Sequence, residues 1–449
     1  MSTSPARTAA FDVLLCIEQQ DAYASELLHS SQYARLSAAD HGLVTELVLG
    51  VLRWRSRLDQ EIERFSAKGV EKLDLEVLTA LRLGGYQLMF LDRIPQRAAV
   101  HESVELVKRA RKKSAVPFAN AVLRKLAAAC AANGATPDHK IETIAPESAA
   151  EMSQELAHPL WLVERWVREF GLDRAREVCR YDQQAPETTV RLADSKTVAE
   201  LKQNGIDLAP GQLLTSARRV RSGNVTATRA FAQGRVAIQD EASQLVGLLV
   251  GRGSRILDCC AAPGSKTRIL AERNPEANIV ALELYPHRAR LLRKLVPARN
   301  VEVIHSDVRE FTAVGTFDRI LTDVPCSGTG TLAHNPEIKW RRKPQDLVEL
   351  QARQLAILQS AMQHAGAGAR LVYSTCSLER EEDEAVVEKA LGAEPSFHAL
   401  DGRIELERLR AEGELAWKEL DTLVSGPFVR TIPGLHACDG FFVAILQKS

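Results

Sequence analysis

Residues 255–273 read RILDCCAAPGSKTRILAER, and this stretch decides the fold of the C-terminal half. The apolar run at 255–260 predicts a strand, the small residues at 261–265 predict a tight turn, and the residues after them predict a helix. Such a unit forms a nucleotide-type pocket, because its backbone approaches a ligand closely and the helix N-terminus favours polar or negative groups. A phosphate-binding P-loop is excluded, since Ser265 separates Gly264 from Lys266, and G-x-G-x-x-G is absent.

Short apolar strands alternate with helices around this stretch, from about residue 236 to residue 449. The predicted strands lie at 255–260, 278–284, 301–307, 318–325, 369–376 and 440–447. This alternation is typical of a parallel, doubly wound α/β sheet of the Rossmann-like kind, in which ligands bind at the carboxyl ends of the strands. The charge-rich residues 401–420 are expected to form an exposed helix or insertion.

The N-terminal residues carry a different pattern. From about residue 5 to residue 130, apolar residues recur at three- and four-residue spacing, as in HGLVTELVLGVLRW, which predicts an all-α helical bundle over 1–135. Residues 150–235 begin with the amphipathic stretch HPLWLVERWVREFG and continue with a strand-then-helix pattern at 188–206. We therefore expect a helical bundle, a small α/β linker domain and an α/β domain at 236–449.

Composition excludes several classes of protein. The 449 residues carry a formal net charge of zero, which argues against a tail that coats nucleic acid indiscriminately. The eight cysteines form no C-x-x-C pair, the eleven histidines show no metal-ligand spacing, and no run of about 18 uncharged apolar residues occurs. We expect reduced thiols, no metal, no membrane span, and a cytoplasmic, monomeric protein.

Acidic residues end the two strands that follow the turn. Glu283 lies about 20 residues beyond it, where a carboxylate accepts hydrogen bonds from ribose hydroxyls, and Asp307 is placed to bond an adenine. Either acid alone would more often be a solvated loop residue, but their recurrence favours a binding site. Because no lysine-rich phosphate loop accompanies them, the pattern favours S-adenosylmethionine over ATP. Cys259 and Cys260, beside the turn, are interpreted as packing residues.

Two cysteines also follow predicted strands: Cys326 in DVPCSG and Cys376 in STCS. Cysteine often fills small spaces in a core, but polar turn residues flank both of these. A thiolate that adds to carbon 6 of cytosine makes carbon 5 nucleophilic toward a methyl sulfonium, and Asp323 is the candidate acid that bonds ring N3. The later loss of the carbon-5 hydrogen and of the enzyme thiol needs a base. The pattern leaves open which cysteine attacks.

Several motifs together resemble a known family. DCCAAPGSKT, DVPCSGTG, NPEIKWR and YSTCS are similar to motifs of the Sun/Fmu family of RNA cytosine-5 methyltransferases, as are HPLWLVERW, IQDEASQL and DGFFVAIL, over roughly 156–449. The stretches LVLGVLRW, LRLGGYQLMFLDRIPQRAAVHESVELVK and FANAVLRKL resemble the NusB-type RNA-binding helical domain. The combination resembles bacterial enzymes that modify a cytosine of 16S rRNA.

The resemblance implies roles for individual residues. Cys376 would be the nucleophile, Cys326 would assist release of the product, and Asp323 would be the third catalytic residue. The implied S-adenosylmethionine site comprises Cys260, Ala261, Ala262, Pro263, Gly264, Ser265, Lys266, Glu283, Asp307 and Asp323. The implied partner is RNA, namely 16S rRNA that is unpaired or incompletely assembled.

Two cation-rich segments are candidates for contact with that RNA. The first contains no acid and comprises Lys108, Arg109, Arg111, Lys112, Lys113, Arg124 and Lys125. The second is Lys339-Trp340-Arg341-Arg342-Lys343, where a tryptophan among cations suits the stacking of an unpaired base. The alternatives are a solvated helix face for the first and a core residue for Trp340. Glu381-Glu382-Asp383 is expected to be a solvated helix start.

Three other functions stay open. The chain could be a non-catalytic rRNA-binding factor with an inactive methyltransferase domain, although the intact Cys326, Cys376 and Asp323 argue against it. The same chemistry on tRNA or on another rRNA position is the second alternative. Methylation of DNA cytosine is the third, and there the attacking cysteine is expected in the Pro325-Cys326 motif.

Overall fold

The structure is a computed structural model that describes residues 3–20, 22–28, 30, 33, 36–132, 146–192 and 194–449. The chain forms two compact units. The N-terminal unit comprises Met1–Ala185 and Leu332–Arg341, and the C-terminal unit comprises Pro186–Thr331 and Arg342–Ser449. This grouping differs from the expected three domains, because the helices at 149–182 group with the N-terminal bundle and the small α/β part groups with the main sheet.

The N-terminal unit is built from helices. They are α1 (Pro5–Gln20), α2 (Ala24–Leu28), α3 (Ala38–Arg53), α4 (Arg55–Ser66), α5 (Leu75–Phe90), α6 (Gln96–Arg109), α7 (Val116–Ala132), α8 (Ala149–Glu155), α9 (Leu160–Phe170), α10 (Leu172–Asp182) and, from the returning segment, α16 (Ile338–Arg341). Residues 77–88 of α5 are buried throughout, which is the pattern of a helix at the centre of a bundle. Ser37 begins α3 by accepting a hydrogen bond from the backbone N–H of Asp40 at 3.1 Å. The predicted helical bundle is confirmed.

One helical stretch of this unit, Lys113–Ala132, is long and apolar enough to cross a membrane by length and composition alone. Within the unit, its Ala119, Val122, Leu123 and Leu126 are buried in the core. Core helices of globular proteins meet the same criterion, so the expectation of no membrane span stays a prediction.

The C-terminal unit begins with a small antiparallel sheet in the order β2-β3-β1-β4. Its elements are β1 (Thr189–Leu192), α11 (Ser195–Gln203), β2 (Asp207–Pro210), β3 (Ala217–Ser222), α12 (Arg229–Ala232) and β4 (Val236–Ile238). Asp194 begins α11 by accepting a hydrogen bond from Thr197 N at 2.8 Å. The strand and helix predicted at 188–206 are therefore confirmed.

The main sheet has the order β11-β12-β13-β9-β8-β5-β6-β7, with β10 paired to β13. Its strands are β5 (Arg255–Asp258), β6 (Asn278–Glu283), β7 (Val301–His305), β8 (Phe317–Asp323), β9 (Ala365–Thr375), β10 (Phe397–Ala399), β11 (Val424–Ser425), β12 (Phe428–Thr431) and β13 (Phe441–Lys448). Its helices are α13 (Glu241–Val250), α14 (Ser265–Arg273), α15 (Pro286–Leu295), α17 (Asp346–Gln363), α18 (Glu384–Ala393) and α19 (Gly402–Ala411). The strands β5 to β9 are parallel. From β5, the strands β6 and β7 are added on one side of the sheet and β8 and β9 on the other, so the strand order reverses between β5 and β8. Ligands of such sheets bind at the carboxyl ends beside this reversal.

Two features of this unit differ from the expectation. The sheet is mixed, because β13 pairs antiparallel with both β9 and β12. The connection between β12 and β13 is too short to contain a crossover helix, so these two strands cannot be parallel neighbours. The first half of the charge-rich segment at 401–420 forms α19, but that helix is not simply exposed. Its Leu406 and Leu409 are fully buried, and Glu405 is 7% exposed. The six predicted strands themselves are confirmed.

Candidate active site

The turn between β5 and α14 has the shape that the sequence predicts for a cofactor loop. Gly264 precedes α14 with φ at +114°, and a Cβ there would come within 2.6 Å of Leu292 and 2.7 Å of Val296. Only glycine fits this position without strain. Thr267 Oγ1 donates to Asp258 Oδ2 at 2.7 Å, so the first turn of α14 is tied to the end of β5.

Four acids gather around this turn because the strands beneath it end together. Asp258, Glu283 and Asp323 end β5, β6 and β8, and Asp307 lies just after β7. Burial, followed by the negative charges of these four acids, raises the pKa of the half-buried Cys260 thiol well above its usual value. The predicted cofactor residues are thus brought together at one edge of the sheet.

The individual acids are held differently. Glu283 is 5% exposed, and its Oε1 accepts a hydrogen bond from Tyr285 N at 2.9 Å. Asp307 forms an ion pair with Arg309 at 2.5 Å, and the hydrogen bond from Arg309 lowers the pKa of Asp307. Burial raises the pKa of Asp258 to about 7. A buried carboxylate fixed by a backbone N–H, as Glu283 is, suits the ribose contact that the sequence predicts.

Asp323 connects the cofactor turn to the cysteines. Its Oδ2 lies 2.7 Å from Lys266 Nζ, and its Oδ1 accepts from Ser374 Oγ at 2.8 Å. Burial lowers the pKa of Lys266, but the charge and hydrogen bond of Asp323 outweigh it, so the net pKa of Lys266 is raised. Lys266 is therefore a charged proton donor beside Asp323.

Cys326 and Cys376 meet at the carboxyl ends of the neighbouring strands β8 and β9. Their Sγ atoms are 3.2 Å apart. The hydrogen bond to Cys376, burial, and the negative charges of Cys376 and Glu382 raise the pKa of Cys326. Cys326 is therefore held as a thiol, in hydrogen-bond contact with the sulfur of Cys376.

The expectation that Glu381-Glu382-Asp383 forms a solvated helix start is wrong for two of its residues. Glu382 and Asp383 are both fully buried, because each is surrounded by donors from the cysteine loops or from β12. Glu382 accepts from Ser327 and Ser377, and Asp383 accepts from Thr375 and Arg430. Sequence reasoning missed both residues, and the signal that could have found Glu382 is the serine directly after each cysteine.

The first predicted RNA segment is partly neutralised by acids of the N-terminal unit. Lys108 pairs with Glu105 at 2.6 Å, Arg109 is held by both oxygens of Asp12 at 2.7 and 2.9 Å, and Lys112 lies 3.1 Å from Asp74. The remaining cations of this segment are exposed, namely Arg111, Lys113, Arg124 and Lys125.

The second predicted RNA segment is corrected by the structure. Lys339 is 1% exposed, and its Nζ donates to the carbonyl oxygens of Arg53 and Ala157 at 3.0 and 3.1 Å. The half-buried Trp340 donates from its indole N–H to Leu52 O at 2.6 Å, and Arg341 donates to Ile17 O at 3.0 Å. These side chains bind backbone carbonyls of the N-terminal unit. The prediction of an RNA contact is therefore wrong for Lys339, whose ammonium is enclosed by protein.

Among the residues that the structure describes, no group of three or more His, Cys, Asp or Glu side chains is arranged to hold a metal ion. The eight cysteines are free thiols.

Comparisons with known proteins identify relatives of both parts of the chain. The model of the family named 16S rRNA methyltransferase RsmB/F matches residues 248–447, and that of the NusB family matches residues 4–128. The protein named probable ribosomal RNA small subunit methyltransferase B of Bacillus subtilis (strain 168) is 31% identical over 463 residues, with 100% of both chains covered.

Solved structures share the fold. The crystal structure of PH0851 covers 100% of both chains with a TM-score of 0.77 at 21% identity. A methyltransferase homolog protein from Pyrococcus horikoshii covers 68% of this chain and 100% of its own, with a TM-score of 0.56 at 25% identity. With an N-terminal NusB-family domain and full-length similarity to a bacterial relative, the chain belongs to the 16S rRNA methyltransferase RsmB/F family.

Proposed function

We propose that this rRNA methyltransferase transfers the methyl group of S-adenosylmethionine to carbon 5 of a cytosine in 16S rRNA, through a covalent bond from Cys376 to carbon 6. The observation that carries the proposal is the 3.2 Å contact between the Cys326 and Cys376 sulfur atoms at the carboxyl ends of two adjacent strands. Asp323 lies at the end of one of these strands and the cofactor turn lies beside it. We take the enzyme to act in the cytoplasm as a monomer.

The acidic edge of the sheet fits S-adenosylmethionine, which carries positive charge on its sulfonium and its amino group. The proposed site is formed by residues 260–266 together with Glu283, Asp307 and Asp323. A cluster of acids favours a cationic ligand and disfavours a triphosphate, by simple electrostatics. Glu283 would accept hydrogen bonds from the ribose, and Gly264 leaves the backbone open to close approach. When bound there, the cofactor supplies an electrophilic methyl group.

The two thiols divide the work in this mechanism. The sulfur of Cys376, as a thiolate, forms the bond to carbon 6 of the cytosine. Lys266, 2.7 Å from Asp323, would supply the proton with which Asp323 bonds ring N3 as the thiolate adds to carbon 6. The electron pair at carbon 5 would form the bond to the methyl group, and the sulfonium sulfur would keep the electron pair of the broken bond and leave as a neutral thioether. A base then takes the carbon-5 proton, the bond from carbon 6 to Cys376 breaks, and Cys326 assists this release.

The RNA contacts that we propose are the exposed cations of the first segment that do not pair with the acids described above. In the N-terminal unit, Arg111, Lys113, Arg124 and Lys125 are exposed and available for phosphate groups. Lys108, Arg109 and Lys112 could reach phosphates only by giving up their acidic partners, so their contribution should be smaller. The target cytosine must be unstacked for carbon 6 to meet a thiol.

Variants of the two cysteines test the chemistry. Cys376→Ala should be inactive and give no RNA adduct, whereas Cys326→Ala should accumulate an RNA-linked species that survives denaturing gels. The adduct should vanish in the double variant, because the bond runs through Cys376. Cys130→Ala, which changes a cysteine of the N-terminal unit, is the matched control and should behave as wild type.

The opposite pattern would overturn the assignment. An adduct that persists in the double variant, or that forms only when Cys326 is intact, would place the nucleophile in the Pro325-Cys326 motif, as expected for DNA enzymes. Bisulfite sequencing of 16S rRNA and of tRNA from a deletion strain tests the substrate. A cytosine that loses its methyl group only in tRNA would refute the 16S assignment.

A further inference from the structure

Glu382 is a buried acid that touches the loops of both cysteines. Its side chain is fully buried, and both oxygens are occupied. Oε1 accepts from Ser327 N and from Gln354 Nε2, each at 2.8 Å. Oε2 accepts from Ser327 Oγ at 2.5 Å and from Ser377 Oγ at 2.6 Å. Ser327 directly follows Cys326, and Ser377 directly follows Cys376.

The hydrogen bonds of the buried Glu382 carboxylate indicate a role beyond filling space in the core. Burying a carboxylate is costly unless it is hydrogen-bonded, and a residue that merely packed here would be apolar. Four donated hydrogen bonds offset that cost, and three of them come from the two serines. The position of Glu382 is itself fixed, because Tyr373 Oη donates to the Glu382 carbonyl oxygen at 2.5 Å. The carboxylate is thus an acceptor shared by the two loops, which also bond each other from Gly330 N to Cys376 O at 2.9 Å and from Leu378 N to Thr329 Oγ1 at 3.0 Å.

We propose that Glu382 is a positioning residue that holds Cys326 and Cys376 in contact by anchoring the serine behind each of them. Its importance for catalysis rests on the proposed function, but the contact between the thiols is a property of the protein without RNA. The Ser327 and Ser377 hydroxyls lie 3.1 Å apart, close to the 3.2 Å that separates the sulfur atoms one residue earlier. Releasing either serine should therefore let the cysteines separate.

The negative charge of Glu382 also affects the pKa of Cys326. The pKa of Cys326 is raised first by the hydrogen bond to Cys376 and by burial, and the negative charge of Glu382 adds to this effect. The negative charge of Glu382 therefore helps to keep the proton on Cys326.

The rate at which the two cysteines form a disulfide tests the positioning directly. Hydrogen peroxide oxidises the two thiols to one disulfide and is itself reduced to water, and the reaction requires the sulfur atoms to meet. Trypsin releases Cys326 in peptide 320–339 and Cys376 in peptide 371–380, each with one cysteine, so mass spectrometry quantifies this disulfide among the other thiols. Glu382→Ala should slow its formation roughly tenfold, as expected when buried hydrogen bonds to a charged group are lost.

A matched control separates positioning from general stability. Glu405 is a buried acid of the same unit that pairs with Arg370 at 2.7 Å, away from the cysteine loops. Glu405→Gln should lower the unfolding temperature without changing the rate of disulfide formation. Removing the charge of Glu382 favours the Cys326 thiolate, which would accelerate oxidation, so a slower rate in Glu382→Ala has to come from geometry. An unchanged rate in a folded Glu382→Ala variant would overturn the proposal.

Two further measurements keep the test decisive. If Glu382→Ala does not fold, the double variant Ser327→Ala, Ser377→Ala retains the acid but removes the hydroxyls, and it should slow the disulfide as well; an unchanged rate there would overturn the proposal equally. In methyl-transfer assays, Glu382→Gln should lower kcat and leave the KM for the cofactor near wild type, because the cofactor turn is not touched. If Cys326→Ala forms no RNA adduct, the proposed function fails, yet the disulfide rates still decide the role of Glu382.

Discussion

Replacing Lys339 by methionine separates the role that the sequence suggests from the one that the structure supports. Lys339 Nζ donates to Arg53 O, Ala157 O and, at 3.4 Å, to Gln183 Oε1. Methionine has a similar length and fills the same space without a charge. Lys339→Met should therefore change stability, and the size of the change should depend on pH, because burial lowers the pKa of Lys339 from 10.5 to about 7.

The sign follows from proton binding. Between pH 7 and 10.5 the unfolded chain holds a proton on Lys339 that the folded chain lacks, so the free energy of unfolding rises with pH across this window. The slope is about 1.4 kcal/mol per pH unit. The methionine variant lacks this contribution, so its stability relative to wild type should fall by about 2 to 3 kcal/mol between pH 7 and pH 9. Below pH 7 the difference between the two proteins should be constant.

Urea unfolding of both proteins at pH 6, 7, 8 and 9 measures the effect, and Lys343→Met at an exposed lysine is the control that should show no such trend. RNA binding provides the second readout. If Lys339 were a phosphate contact, Lys339→Met would leave the pH dependence of stability unchanged and would reduce the slope of log affinity against log salt by about 0.7 for a single strand. That combination would refute the reasoning from burial.

Two further predictions concern the ligands. Glu283→Ala should weaken binding of S-adenosylmethionine by about 1 to 3 kcal/mol in calorimetry, since a buried hydrogen bond to a charged group is lost, whereas Glu302→Ala at an exposed position of β7 should bind normally; equal affinities would remove Glu283 from the site. Charge reversal at Arg111, Lys113, Arg124 and Lys125 should flatten the salt dependence of RNA binding more than reversal of the ion-paired Lys108, Arg109 and Lys112; equal slopes would contradict our choice of surface.

The parts of the fold that depend on local pattern were predictable. Each apolar run that the sequence marked as a strand became one, and the turn at 261–265 lies where the strand and helix signals meet. The contact between the cysteines also follows from the topology. Asp323 and Ser374 are register partners in the parallel pair β8 and β9, so Cys326, three residues beyond, and Cys376, two residues beyond, leave the sheet side by side.

The sequence did not predict which surface cations are free to bind RNA, because ion pairs form between residues that are distant in the chain. Arg109 is neutralised by Asp12 and Lys112 by Asp74, whereas the segment at 108–125 contains no acid of its own. The predicted RNA contact of Lys339 is wrong for a related reason. A cation next to a tryptophan looks the same in a sequence whether its partners are phosphates or backbone carbonyls, and here carbonyl oxygens of Arg53 and Ala157 take that place.

The sequence does contain a feature that bears on the role of Glu382. A run of acids at 381–384 is ordinarily solvated, and nothing in its spacing predicts burial. The informative feature is instead that both cysteines are followed by serine, at the ends of strands that pair side by side. Two short hydroxyl donors that leave one sheet edge together need acceptors if they are buried. Tyr373 on β9 holds the backbone of Glu382 where its carboxylate reaches both. The requirement for an acceptor follows from the sequence, but its identity follows only from the path of the chain after Cys376.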